Sequence, residues 1–213
     1  MYPARPVRDR ICTRPSSRGQ GLRPRDRHGP QHRRIRGGPS CRRVLTRGRL
    51  PRNGGMVVLT ADPDTAHQMI RDSEVELAIA AENGPASTVV AGETDALETL
   101  IKVAKEKGIR TTQLKVSHAF HSHLMDPILE QFQAFASTLD FAKPDGRLVS
   151  AKTGKVAGDE VADARYWTDH VRQPVLFHRG IMTAQEIGAN LFLEIGPHPV
   201  LTPMAQAALD GIA

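Results

Sequence analysis

Met56-Val57-Val58-Leu59-Thr60-Ala61-Asp62-Pro63 sets the fold reading. Four consecutive apolar residues read as a buried strand, and Asp62 followed by Pro63 marks a helix start. An aspartate can accept from the free N–H groups of a first helical turn, and proline fits the first helical position because the N–H there has no partner anyway. Ala66, Met69 and Ile70 supply the apolar face of that helix. Val75, Leu77 and Ile79 then alternate as a half-buried strand, Asn83-Gly84-Pro85 makes a turn, and Thr88-Val89-Val90-Ala91 is a second strand, so the two read as a hairpin. Thr94 is the expected cap of the next helix. Leu97, Leu100, Ile101 and Ala104 form its stripe, and Gly108 is its expected stop. Thr112, Leu114 and Val116 alternate as a final strand.

The resulting order β-α-β-β-α-β is that of a ferredoxin-like unit. Beyond Ser122 the pattern lengthens into helices. Ile128, Leu129, Phe132, Phe135, Ala136 and Leu139 share one face after Asp126-Pro127, Tyr166-Trp167 opens another helix, and a third runs from about Phe177 to Ile187. Arg147-Leu148-Val149-Ser150 is expected as a strand, and Leu191-Phe192-Leu193-Glu194-Ile195 as a buried strand ended by Gly196-Pro197-His198-Pro199. A last helix passes through Leu201, Met204 and Leu209. Strands alternating with helices in this way predict a parallel sheet.

Between these two parts lies Val116-Ser117-His118-Ala119-Phe120-His121-Ser122-His123-Leu124-Met125-Asp126-Pro127. It sets three histidines around one phenylalanine at a strand-to-helix junction, where side chains are open to substrates. Histidine titrates nearest neutrality, so such a cluster offers a general base, a metal site or a pH sensor. Continued strand alternation would put His121 and His123 on one face and His118 on the other, which argues against a shared ion, and no metal is expected. His67, His170, His178 and His198 carry no partner pattern and read as surface or ordinary packed histidines.

Charge is distributed unevenly along the 213 residues. Through Arg52 there are 16 arginines, no lysine and only Asp9 and Asp26, a formal charge of +14; the remainder carries −8. The pI near 9.7 therefore reports the head alone. Residues 1–46 show no helical or strand period among their arginines, prolines and glycines, and should form no core. A nucleic-acid-binding arm is disfavoured because no aromatic residue follows Tyr2 there to stack on bases. Both cysteines, Cys12 and Cys41, also fall in the head, so the body has no thiol nucleophile and no thiolate ligand. No apolar run approaches the ~20 residues that span a bilayer, and a cytoplasmic location without membrane contact is the expectation.

Several segments together resemble the acyltransferase domain of modular polyketide synthases and, more distantly, malonyl-CoA:acyl-carrier-protein transacylase. These are Arg47-Gly48-Arg49-Leu50, Gly54-Gly55-Met56, Asn83-Gly84-Pro85 through Gly92, Val116 to Pro127, and Leu193-Glu194-Ile195-Gly196-Pro197 with Val200-Leu201. The resemblance implies an α/β fold: an α/β-hydrolase-like large subdomain, incomplete here, made of residues 47–55 and 117–213, with an inserted ferredoxin-like small subdomain, residues 56–116. It implies His121 as general base, Arg47 as the grip on a malonyl carboxylate and Asn83 near the substrate. An arginine's planar fork meets a carboxylate at two points, which a lysine cannot do. His118-Ala119-Phe120-His121 resembles the tetrad of malonyl-selective members, Phe120 filling the space of an α-methyl. The partners implied are a coenzyme A thioester and an acyl carrier protein bearing its own phosphopantetheine, with no cofactor on this chain.

The family's nucleophilic serine sits in Gly-His-Ser-x-Gly before the matching arginine, and these 213 residues hold no such motif. The nearest serine, Ser40, stands between Pro39 and Cys41-Arg42, which does not make the small-residue elbow that exposes a nucleophile. The chain is therefore expected to be an inactive back portion of an acyltransferase, its head either a disordered tail or the product of a shifted reading frame. Two other readings stay open: a non-catalytic docking module, and a metal-binding histidine cluster.

Overall fold

The computed structural model describes residues 53–116 and 118–210. The chain divides into two units, Met1–Arg36 and Gly37–Ala213, and every described residue belongs to the second. The head, Arg47 and Ser40 lie outside the described residues.

Strand β1 (Gly54–Leu59) leads into helix α1 (Pro63–Asp72), the hairpin β2 (Leu77–Gly84) and β3 (Ser87–Glu93), helix α2 (Thr94–Glu106) and the short β4 (Thr111–Gln113). The four strands make one sheet in the order β2-β3-β1-β4, every neighbouring pair antiparallel. Asp62 caps α1 as its position implies, one carboxylate oxygen accepting from the Thr65 N–H at 2.9 Å and the other from the Thr65 hydroxyl at 2.7 Å. Those bonds hold its carboxyl below the usual range. Gly108 ends α2 with φ +71°, a left-handed conformation that costs glycine little.

The sheet is covered on both faces. Val57, Leu59, Ile79 and Val90 pack against Ala66 and Met69 of α1 and Leu97, Leu100 and Ala104 of α2. Met56, Ala80, Val89 and Ala91 point the other way and pack against Ala119 and Leu124. A strand buried on two faces needs no polar alternation, which is why β1 reads as an unbroken apolar run. The second of these faces is also what holds the histidine-rich segment in place.

That segment continues through a 3₁₀ turn (His123–Met125) into helix α3 (Asp126–Ala136). Helices α4 (Ala164–Arg172), α5 (Phe177–Glu186) and α6 (Leu201–Asp210) follow, with a second 3₁₀ turn (Asp159–Ala162) before α4. Arg172 Nε donates to Asp126 Oδ1 at 2.8 Å, joining α4 to the start of α3.

Three expectations are corrected. Thr94 does not cap α2: it is the first helical residue, and its hydroxyl and N–H both donate to the Asn53 carbonyl at 2.8 Å. The sheet among the described residues is antiparallel, the only parallel pairing there being the single bridge between Ala81 and Val175. Residues 147–150 make one bridge, Val149 to Val156, and 191–195 form no strand; Leu191, Leu193 and Ile195 are exposed rather than buried. A strand exists only where another strand answers its ladder of donors and acceptors. Among the described residues the first stretch is answered only by the single bridge at Val156, and no bridge joins the second to a neighbour.

The α6 terminus shows how the loop after residue 195 is held. The Glu194 carboxylate accepts from the N–H groups of Val200, Leu201 and Thr202 at 2.9–3.1 Å, and from the Thr202 hydroxyl at 2.9 Å. These bonds, those of Thr202 and Val200 foremost, pull its pKa from 4.5 down to about 2. A carboxyl with a depressed folded pKa stabilises above its unfolded value, and that contribution is lost as pH falls through the folded one. The start of α6 should therefore lose amide-exchange protection between pH 4.5 and about 2, and Glu194→Ala should reproduce the loss at pH 7. Unchanged exchange at Leu201 and Thr202 in that variant would show that the carboxylate does not hold the turn.

Candidate active site

The candidate base is positioned by three local features. Gly54 lies so close to the histidine segment that a Cβ there would meet the Ala119 N at 2.8 Å and the Ala119 Cβ at 3.0 Å. Ser122, fully buried, donates to the Ala119 carbonyl at 2.6 Å and accepts from the Leu124 N–H at 3.2 Å, capping the 3₁₀ turn with its side chain. Between these anchors His121 itself has φ +60°. A left-handed non-glycine residue is held there only by its surroundings, and such strain concentrates at functional sites.

His121 Nδ1 lies 2.7 Å from the Gln173 carbonyl oxygen. A carbonyl only accepts, so Nδ1 carries the proton and neutral His121 keeps its lone pair on Nε2. Gln173 is able to offer that carbonyl because of its neighbour. Pro174 disfavours a helical residue before it, and Gln173 leaves the end of α4 with φ −84° and ψ 154°. Two residues on, Val175 donates to the Ala80 carbonyl and accepts from the Glu82 N–H, both at 2.9 Å. The edge of β2 is thereby tied to the segment that orients His121, and Asn83 follows Glu82 on that strand.

A cavity of about 340 Å³ opens beside His121, walled by Phe120, Met125, Ile128, Phe132 and Trp167. Phe120 is 42% exposed and its ring stands 5.9 Å from that of His118. His123 turns elsewhere, with Nδ1 3.5 Å from a Glu76 carboxylate oxygen. His121 and His123 thus have different partners, and among the described residues no group of three histidine, cysteine or acidic side chains is arranged to hold a metal ion.

His170 was not legible as a site residue. Read from the sequence as a surface or ordinary packed histidine, it packs with its ring 6.0 Å from that of His121 and 6.2 Å from that of Tyr166. Burial, then the neighbouring His121 and Lys152, push its pKa below the usual histidine range. The other unforeseen contributor is the Gln173 carbonyl, a backbone group that every residue possesses and that no side-chain pattern marks.

Gly54→Ala is expected to test the anchoring. The added methyl meets backbone rather than a movable side-chain end, so overpacking of about 1–3 kcal/mol should follow, together with shifted NMR signals at Ala119 and His121. Native stability and unmoved signals in that variant would show that the close approach does not position the base.

The Acyl transferase domain family matches residues 40–212. Polyketide synthase GfsA of Streptomyces halstedii is 37% identical over 177 residues, which are 81% of this chain and 2% of that protein. The acyltransferase domain from the second module of the salinomycin polyketide synthase is 38% identical with a TM-score of 0.73, covering 79% of this chain and 39% of that one. Malonyl CoA-acyl carrier protein transacylase from Clostridium perfringens is 27% identical with a TM-score of 0.73, covering 79% and 54%. The chain thus spans only a small part of the curated relative and about half or less of these solved chains.

Proposed function

Because the chain belongs to the acyl transferase domain family, we propose that it supplies the proton-handling half of a centre that moves a malonyl group from malonyl-CoA to an acyl carrier protein. The observation that carries this is the 2.7 Å bond from His121 Nδ1 to the Gln173 carbonyl, which leaves Nε2 free to accept a proton beside an apolar cavity. In the reaction a serine hydroxyl attacks the thioester carbonyl and His121 takes its proton. The tetrahedral intermediate collapses, the C–S bond breaks, and the imidazolium returns the proton to the departing thiol of coenzyme A. The carrier protein's phosphopantetheine thiol then attacks the acyl-serine, with His121 again holding the proton in transit.

Residues 56–116, with their β-α-β-β-α-β order and antiparallel sheet, support the reading of a ferredoxin-like small subdomain. Residues 47–55 and 117–213 are its large-subdomain complement, α/β-hydrolase-like and incomplete. Arg47 grips the malonyl carboxylate, and Asn83 sits near the substrate. The centre needs no bound cofactor, and its site is the cytoplasm. No helix among the described residues is long and apolar enough to cross a membrane.

Incubated with labelled malonyl-CoA, the 213-residue chain should take up no stable label, since the sequence lacks Gly-His-Ser-x-Gly. Joined to a serine-bearing segment of the family it should load malonyl and pass it to a carrier protein. In that joined protein Phe120→Ser with His118→Tyr should relax the preference for malonyl- over methylmalonyl-CoA by roughly 10- to 200-fold, the worth of one methyl group in a pocket. Arg47→Ala should raise tolerance for acetyl-CoA, because the unpaired cation that rejects it is gone. Unchanged ratios in both variants would refute the substrate roles, and a joined protein that transfers nothing would refute the function.

A further inference from the structure

One hydrogen bond fixes a point on a ring but not its plane. The torsion that turns an imidazole about its Cβ–Cγ bond is broad and roughly two-fold, so the backbone of His121 does not dictate which ring edge meets the Gln173 carbonyl. Gln173 is exposed, and a hydrogen bond that water can replace contributes little net stability. The left-handed φ of +60° at His121 adds a need for support from outside the residue. A second restraint stands one helical turn before Gln173.

His170, on α4, places its ring 6.0 Å from that of His121 with 45° between the planes. Tilted rings at such a separation attract one another. The His170 ring is itself held from behind. Tyr166, four residues earlier and so on the same helix face, lies 6.2 Å from it. Tyr166 is buried, and its hydroxyl is hydrogen-bonded to that of the buried Ser150. Ser150 Oγ also accepts from the Lys152 and Thr153 N–H groups at 3.1 and 3.2 Å. The Lys152 ammonium stands 5.1 Å over the Tyr166 ring and donates to Asp169 Oδ2 at 3.1 Å. A column of rings thus runs from the turn at residues 150–153 through Tyr166 and His170 to His121. His170 Nε2 is buried and makes no hydrogen bond among the described residues, so what His170 presents to its neighbour is the ring rather than that nitrogen.

We propose that His170 is a positioning residue for His121: its ring, backed by Tyr166, blocks rotation of the His121 imidazole and so keeps Nδ1 on the Gln173 carbonyl and the lone pair on Nε2. The use made of that lone pair rests on the acyl-transfer reading, whereas its placement does not.

The test uses the full 213-residue chain with ¹⁵N-labelled histidine at about pH 8, where imidazole is neutral, and reads the His121 tautomer from two-bond ¹H–¹⁵N correlations. The parent should show His121 protonated at Nδ1 alone. His170→Ala, and His170→Leu which keeps much of the volume without a flat ring, should lose that single pattern and mix in the Nε2–H form. His170→Phe should keep it, since a ring remains and the nitrogen given up has no hydrogen-bond partner among the described residues. Amide signals of residues 56–113 and 164–172 verify that the sheet and α4 persist in each variant. An unchanged Nδ1–H pattern in His170→Leu would overturn the proposal, and so would a His170→Phe variant that loses it, because the nitrogen and not the ring would then be at work. In the chain joined to a serine-bearing segment, His170→Leu should lower kcat by about 10- to 100-fold, the scale of a small misplacement, with KM for malonyl-CoA unmoved and His170→Phe restoring the rate. A tautomer that changes while kcat does not would uphold the positioning and refute the role of His121 in acyl transfer, so the two failures are told apart.

Discussion

Replacing His121 by alanine in a chain joined to a serine-bearing segment is expected to lower acyl transfer by about 10²- to 10⁴-fold, the usual contribution of a positioned general base. The loss should appear in kcat for both half-reactions, since the same imidazole takes the serine proton in one and the carrier thiol proton in the other. His121→Gln should not rescue. An amide offers a donor to the Gln173 carbonyl but no basic nitrogen beyond it. Pro174→Ala should give a smaller loss of the same kind, because Gln173 is then free to stay helical and draw back the carbonyl that orients His121 at 2.7 Å. Acyl transfer within threefold of the parent in His121→Ala would remove this residue from the mechanism.

Leu100→Ala should be the most damaging single truncation of the small sheet's core. Leu100 is fully buried in α2 and belongs to one cluster with Val57, Leu59, Met69, Val90 and Leu97. Truncation of a leucine so placed costs about 2–5 kcal/mol, the lost transfer energy and the residual cavity together. That is a large fraction of the ~5–15 kcal/mol by which a domain is stable. Ile101, the next residue on the same helix, is only partly buried against the cluster and should lose less when truncated. Urea unfolding of the two variants gives the comparison, and a Leu100→Ala cost below that of Ile101→Ala would mean the core is assigned to the wrong helix face. The effect reaches the candidate site, because the other face of the same sheet carries Ala119 and Leu124 on either side of His121.

The elements between Met56 and Val116 were legible because their signals are local. Asp62-Pro63 starts a helix through its own hydrogen bonds to Thr65, and Gly108 ends one through its own φ. The stripes of α1 and α2 and the strand residues that face them find their burial inside that same segment. The second half was harder to read for the opposite reason. Leu191 to Ile195 carries the composition of a buried strand, but burial is a property of what lies against a residue. The same holds for residues 147–150, whose ladder among the described residues amounts to one bridge.

His121 was singled out by its company in His118-Ala119-Phe120-His121, and sequence alone carried the reading that far. Its tautomer, its left-handed backbone and the His170 ring 6.0 Å away were decided by the fold. A partner 52 residues distant that contributes only a carbonyl leaves no trace in the order of side chains. Helix, turn and strand propensities act over a few bonds and can be read in one dimension. The orientation and protonation of a base depend on groups brought together through space, and only the packing of α4 and its Pro174 terminus against the β2 edge settles which groups those are.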